Sequence, residues 1–336
     1  MPETSDTPTI PVTGIKAGTI RIVDELHFTG GLRAGRSGDG WQISPLHRDG
    51  RIVAIRGIPE RDLARAGAAM GLTLFGADEI SGDDPDLPIR VWTPLFGLPR
   101  VAHQPSDTWG MIASASRALG DISYAKLSRS LAVSLRAAGL QIRNASDEYN
   151  KQLSAALRRG QSVGTRFTNL PLLELHLAFH SVVAEMASAR DYIAQVSARR
   201  VKAPDRIDAL NRLKDWVEKP ANVATRNDPL IARLLDASNS EQADPWLSDL
   251  TEYRNLFLHR EHIGAMAKWL MIEERDTNVG SVRSIMLSIN TRPDAETTCD
   301  ALTRFVDLYG RLCRLADLAA SLAPYPPTPL HFVSTS

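Results

Sequence analysis

The feature that most constrains this chain is an apolar seam in its middle. Leu172, Leu175, Phe179, Val182, Met186, Ala189, Ile193 and Val196 recur at alternating spacings of three and four residues. A strand cannot use that pattern, because its side chains alternate with a period of two. On a helix the same residues form a narrow stripe suited to packing in a bundle. A helix is therefore expected over 170–199. A second seam, Trp246, Leu250, Tyr253 and Phe257, widened by Leu256, Ile263, Ala267 and Leu270, predicts a helix over about 245–272. A third, Leu302, Phe305, Tyr309, Leu312, Ala316 and Ala319, predicts one over about 295–322, ended by prolines at 324, 326, 327 and 329. Ser106-Asp107 is positioned to cap a helix carrying Trp109, Ile112 and Leu119, with Gly120 and Gly139 punctuating a run to Leu157. Shorter helices are expected at 206–218 and 229–237, and the segment 276–293 reads as partly irregular. Residues 106–322 thus suit an antiparallel helical bundle, followed by a proline-rich tail, 323–336.

The first hundred residues read differently. Short β-prone runs, Thr19–Val23, Trp41–Ser44, Arg51–Arg56 and Ile89–Leu95, alternate with turn signals at Gly30-Gly31, Gly38-Asp39-Gly40 and Asp49-Gly50. A short helix is expected from Pro59, a favoured first-turn residue, to Met70. The acidic residues Asp78, Glu79, Asp83, Asp84 and Asp86 read as a loop. The expectation is a mainly α chain, a helical bundle preceded by a small α+β module over 1–100 of unknown role.

Charge narrows the function classes. The 39 basic and 39 acidic residues cancel, so nucleic-acid binding has to rely on a local patch. Arg33, Arg36, Arg48, Arg51 and Arg56 are offset by Asp39, Asp49 and Glu60 and read as a mixed solvated surface. The start, Met1 to Thr9, lacks a basic, apolar secretion signal, and no apolar run reaches membrane-spanning length. Cys299 and Cys313, both assigned to the last helical segment, read as reduced core thiols of a cytoplasmic protein. Glycine-rich nucleotide loops and a nucleophile elbow are absent from the sequence; Gly35–Gly40 reads as a hairpin.

One stretch points to chemistry: Arg254-Asn255-Leu256-Phe257-Leu258-His259. On a helix, Glu252, Asn255, His259 and His262 share a polar stripe between apolar faces. Arg254 lies about 140° round from His259, so its side chain has to curl toward the same opening. A neutral imidazole can take the proton of a ribose 2′-hydroxyl. A guanidinium can stabilise the charge that then develops on phosphorus oxygens. Asn255 is placed to orient the phosphate or the imidazole. Arg21 and His27 meet a looser Arg–His spacing in a β-prone segment, where it carries no weight.

Arg254, the Asn255 that follows it, and His259, ahead of a final long helix, resemble the R-N-x3-H motif of the HEPN superfamily. That resemblance covers roughly 106–322. It implies an all-helical bundle and a metal-independent endoribonuclease that needs no cofactor. The substrate would be RNA, cut to a 2′,3′-cyclic phosphate and a 5′-hydroxyl. It further implies a homodimer with paired motif helices, a bacterial defence or toxin setting, and room for a regulatory protein partner. His180 and Glu185 would line the cleft from a neighbouring helix. Some such toxins carry a modifiable tyrosine two residues after the His; Glu261 stands there in this chain.

Two other readings stand. The same bundle without catalysis would bind a nucleotide, RNA or a protein. Alternatively, His176 and His180, four apart, would join His259 and His262, with Glu174 or Glu185, in the metal site of a hydrolase.

Overall fold

The computed structural model describes residues 23–48, 50–81, 89–95, 104–259, 269–277, 280–290 and 297–328. A six-stranded antiparallel sheet comes first. Its strands are β1 (Val23–Phe28), β2 (Arg33–Ser37), β3 (Gly40–Arg48), β4 (Arg51–Ile58), β5 (Leu74–Ser81) and β6 (Ile89–Pro94), in the order β4-β3-β2-β1-β5-β6. Helix α1 (Leu63–Ala69) links β4 to β5.

The pleat explains the sheet's two faces. Ala77, Leu26, Ala34 and Ile43 lie opposite one another on successive strands, and all are buried. They form an apolar row across the sheet. The other face carries His27, Arg33, Asp78, Arg90 and Trp92. Gly35–Gly40 is a hairpin, with Ser37 paired to Gly40. The acidic stretch is corrected in part. Asp78 and Glu79 lie in β5, because cross-strand pairing to β1 and β6 overrides the low strand propensity of carboxylates. Residues 83–86 lie outside the described residues.

The helical region follows. Helix α2 (Pro105–Ala118) starts at Gln104, whose backbone N–H donates to Asp107, so Asp107 completes the cap. Gly120, at φ +82°, separates it from α3 (Ile122–Arg158). Gly139 does not interrupt α3. A Cβ there would stand 2.7 Å from the Tyr309 hydroxyl, which donates to the Leu135 carbonyl, so the glycine permits a close helix crossing. After the short β7 (Arg166–Phe167) comes α4 (Leu172–Arg200), whose seam is buried throughout. Helices α5 (Leu210–Val217) and α6 (Pro229–Ala237) pack on α4, and α7 (Trp246–His259) follows.

Three sequence expectations end here. The motif helix is described only to His259, and Leu270 belongs to a strand. The segment expected to be irregular forms a hairpin of β8 (Leu270–Thr277) and β9 (Gly280–Asn290). Cys299 sits in β10 (Thr298–Asp300), while Cys313 lies in the last helix, α8 (Ala301–Ser321). The second sheet runs β10-β9-β8-β7, all antiparallel. Leu270 alone had continued the helix seam; with Ile272 in β8, and Ile285, Leu287 and Ile289 in β9, it is buried with the period of two of a strand.

The final helix is anchored by its cap. Asp300 accepts hydrogen bonds from the Thr303 N–H at 2.9 Å, the Leu287 N–H at 3.2 Å and the Tyr149 hydroxyl at 2.7 Å. One carboxylate therefore joins α8, β9 and α3, and burial raises its pKa. The N-terminal sheet meets α3 at Gly31. A Cβ there would lie 2.8 Å from the Tyr149 carbonyl, and φ is +88°, so only glycine fits the approach. The two sheets and the helices share one apolar core. Among the described residues no helix is long and apolar enough to cross a membrane.

Candidate functional site

Helix α7 carries the sequence motif, and four contacts fix it. Trp246, Leu247, Leu250, Tyr253 and Phe257 bury its inner face. The Tyr253 hydroxyl donates to the Asn290 carbonyl at 2.5 Å, tying α7 to β9. Arg304 of α8 donates to Asp249 at 2.5 Å. Arg190 of α4, itself buried, donates to the Thr251 hydroxyl at 2.5 Å. Farther along, the Phe257 ring stacks on His180 of α4, with centroids 5.3 Å apart and planes 21° off parallel. Residue 190 thus faces 251 and residue 180 faces 257, so α4 and α7 run antiparallel.

The motif residues stand as follows. Arg254 and Asn255 are half-buried, and Glu252 is exposed. The Arg254 guanidinium reaches the Asn255 carbonyl oxygen only at 3.5 Å, too long to pin it. His259 is the last described residue of α7; its side chain, like all of Glu261 and His262, lies outside the described residues. By helix rise, its backbone lies about 3 Å beyond Phe257, at the α4 level of His180 and His176. His176 and His180 are half-buried. Glu185 lies five residues past His180, about 140° round α4, so the two do not share a face. Among the described residues His176, His180, Glu174 and Glu185 form no group of three metal-ligand atoms.

Sequence reading missed a second polar constellation, on the sheet face that meets α3. His27 Nδ1 lies 3.1 Å from Ser146 Oγ, and Arg33 Nη1 lies 2.7 Å from His27 Nε2. Nε2 also lies 3.4 Å from Asp78 Oδ2, so a donor-only guanidinium and an acceptor carboxylate meet the same ring nitrogen. Burial, with Arg33 adding to it, pushes the imidazole pKa down to about 4. Arg33 also donates to Asp147 at 2.7 Å and to Glu25 at 3.1 Å. Arg90 binds Asp78 and Asp147, the latter at 3.1 Å. Burial raises the Asp78 and Asp147 pKa values, but hydrogen bonds from their partners, Arg90 among them, outweigh it and leave both lowered.

His27, Asp78 and Asp147 are the one set of three possible cation ligands among the described residues. They are already engaged by two arginines, whose charge opposes a metal ion. His27 and Asp78 are fully buried. The constellation is a clamp between the sheet and α3. Its only sequence signal was a strand with polar residues on the face opposite its apolar ones.

A cleft of about 590 Å³ lies between α6, the start of α7 and α8. Arg233, Asp244, Trp246, Asp307, Arg311 and Arg314 line it. Arg311 bonds Asp244 and Asp307, so much of its charge is neutralised internally. Trp246 and His259 are the two ends of α7, about 20 Å apart by helix rise, so this cleft does not serve the motif.

No family model, curated protein or solved structure matches this chain.

Proposed function

We propose that the helical region is a HEPN-like bundle acting as a metal-independent endoribonuclease, with Arg254, Asn255 and His259 as its reactive groups. His259 takes the proton of the ribose 2′-hydroxyl, and the resulting oxygen attacks the adjacent phosphorus. Arg254 stabilises the charge gathered on the non-bridging oxygens, and Asn255 orients the phosphate. The bond to the 5′ oxygen breaks, leaving a 2′,3′-cyclic phosphate and a 5′-hydroxyl. Two copies bring their α7 helices to one groove, and the host process is defence or growth arrest.

The observation that carries this reading is the division of labour on α7. Its apolar face is committed to α4, β9 and α8, while Arg254 and Asn255 stay half-exposed on the stretch that ends at His259. A helix so held presents its polar residues at low entropic cost.

The test is cleavage of RNA by purified protein in excess chelator, beside His259→Ala and Arg254→Ala. Wild type is expected to cleave and each variant to lose about 10²–10⁴ in rate, the usual worth of a positioned acid–base group. Cleavage abolished by chelator would move the assignment to a metal. Folded wild type that leaves RNA intact, or variants that cleave at the wild-type rate, would overturn it.

A further inference from the structure

We propose that the outer face of α4 is where two copies of this chain join, the two α4 helices antiparallel about a two-fold axis level with Phe179. The pairing rests on α4 itself; what it does for the motif helices rests on the ribonuclease reading of α7.

Helix α4 carries two opposite stripes. One is the buried seam from Leu172 to Val196. The other is Leu173, Leu177, Ser181, Ala184 and Ser188, which fall within about 80° of one another at 3.6 residues per turn. Leu173 is 63% exposed and Leu177 57%, and Leu170, in the turn that leads into α4, is 94% exposed. Among the described residues one other leucine, Leu119, is strongly exposed, so three in one line form a patch. The serines do not make the rest of the stripe polar. Ser181 Oγ donates to the Leu177 carbonyl at 3.0 Å, and Ser188 Oγ to the Ala184 carbonyl at 3.1 Å, so both donors are satisfied within the helix. Large side chains thus occupy one half of the stripe and small ones the other.

That division makes the stripe complementary to itself, as a two-fold contact requires. Leu177 and Ser181 stand two residues either side of Phe179, Leu170 and Ser188 nine, and Leu173 and Ala184 six and five. An antiparallel pair centred there sets each leucine of one copy over a small residue of its partner. The helices approach closely, and six leucines leave water. An in-register parallel pair would set leucine on leucine. The same axis also returns each flank of α4 to its own side. Helix α3 flanks the stripe beside Glu174, about 60° to one side, where both helices line one cleft. Helix α7 flanks it beside His180, about 60° to the other side, where that ring meets Phe257. The two α7 helices therefore lie on one side of the pair. His180 is one residue from the level of the axis, so the described ends of both α7 helices come together there. That is the shared groove the ribonuclease reading needs. On the α3 side, Glu174 comes level with the partner's Glu185, so charge opposes the pairing and added salt tightens it.

The test is analytical sedimentation of the full chain. Wild type is expected to be a dimer, tighter at high salt. Leu173→Lys combined with Leu177→Lys should weaken association about 10²-fold or more, with an unchanged circular dichroism spectrum. Leu177→Glu alone should weaken it as well. Mixing that protein with Ser181→Lys should restore a dimer, because the new carboxylate then faces the new ammonium beside the axis. A wild type that stays monomeric, or a double variant that associates as wild type does, overturns the interface. A dimer lost in Leu177→Glu and not repaired by mixing overturns the register, and the shared groove with it. RNA cleavage separates the two readings. A dimer that leaves RNA intact takes down the ribonuclease reading and keeps the interface, whereas cleavage by a monomeric wild type takes down the interface alone. Where wild type cleaves, the monomeric double variant should lose cleavage; an undiminished rate overturns the shared groove.

Discussion

Two polar regions of this molecule come out opposite. The one between the N-terminal sheet and α3 has His27, Arg33, Arg90, Asp78 and Asp147; the other is the polar side of α7, with Arg254 and Asn255 on the stretch that ends at His259. In the first, both His27 nitrogens are engaged and both arginines are shared among carboxylates. In the second, Arg254 makes, among the described residues, a 3.5 Å contact to its own neighbour. A largely buried, mutually paired network uses its interactions within the fold, even with Arg33 Nε, Asp78 Oδ1 and Arg90 Nε left without hydrogen-bond partners among the described residues. A half-exposed cation on a rigid helix keeps its interaction energy for something that arrives. Burial and internal pairing to carboxylates separate the two.

The contrast can be broken most forcefully at the open site. His259→Ala should cost about 10²–10⁴ in RNA cleavage while the melting temperature stays within a degree or two of wild type, roughly the effect of a neutral surface change. A loss of stability as large as the loss of rate would erase the distinction. At the closed site the reverse is expected. Asp78→Ala leaves Arg90 and His27 facing an uncompensated hole, and should destabilise by about 3–5 kcal/mol. The urea midpoint at unchanged slope measures this; a shift under about 1 kcal/mol would mean the clamp is ornamental.

Acid should find the closed site next. The folded pKa of His27 is about 4 against an ordinary 6.5, so between those values the unfolded chain binds the extra proton. The stability from neutral His27 is full above pH 6.5 and is lost as pH falls toward 4, on the order of 3 kcal/mol in all. Asp78 and Asp147, whose pKa values are lowered, withdraw their share only below the ordinary carboxylate range. Stability measured from pH 7 to 4 should therefore slope downward, and His27→Gln should flatten that slope. An unchanged slope would place the acid sensitivity elsewhere. The smallest effect is expected at the α8 cap. Tyr149→Phe removes one donor from buried Asp300 and should cost about 1–3 kcal/mol, read from the urea midpoint.

Much of the helical core was legible in the sequence. Every residue of the Leu172–Val196 seam is buried, as are Trp246, Leu250, Tyr253 and Phe257, and Leu302 through Ala319 of the third seam. Strand-prone runs located β3, β4 and β6, but β2 passed unnoticed because Arg33, Gly35, Arg36 and Ser37 have no strand signature of their own. The β8–β9 hairpin was misread because its period-two runs are short, Leu270 and Ile272 in β8 and Ile285, Leu287 and Ile289 in β9, and Leu270 also continues the spacing of the preceding helix seam. The clamp could not be read at all. Its members lie on four separate strands and a helix, and Ser146 is 119 positions from His27.

The sequence alone determined which faces are apolar and where the Arg254-Asn255-x3-His259 spacing falls, because both are properties of one helix and its repeat. Tertiary structure decided what those residues meet. It set the antiparallel register that lays His180 on Phe257, and the sheet packing that seals His27 while Arg254 stays half-exposed. Those outcomes depend on contacts between residues far apart in the chain, and no local period encodes them.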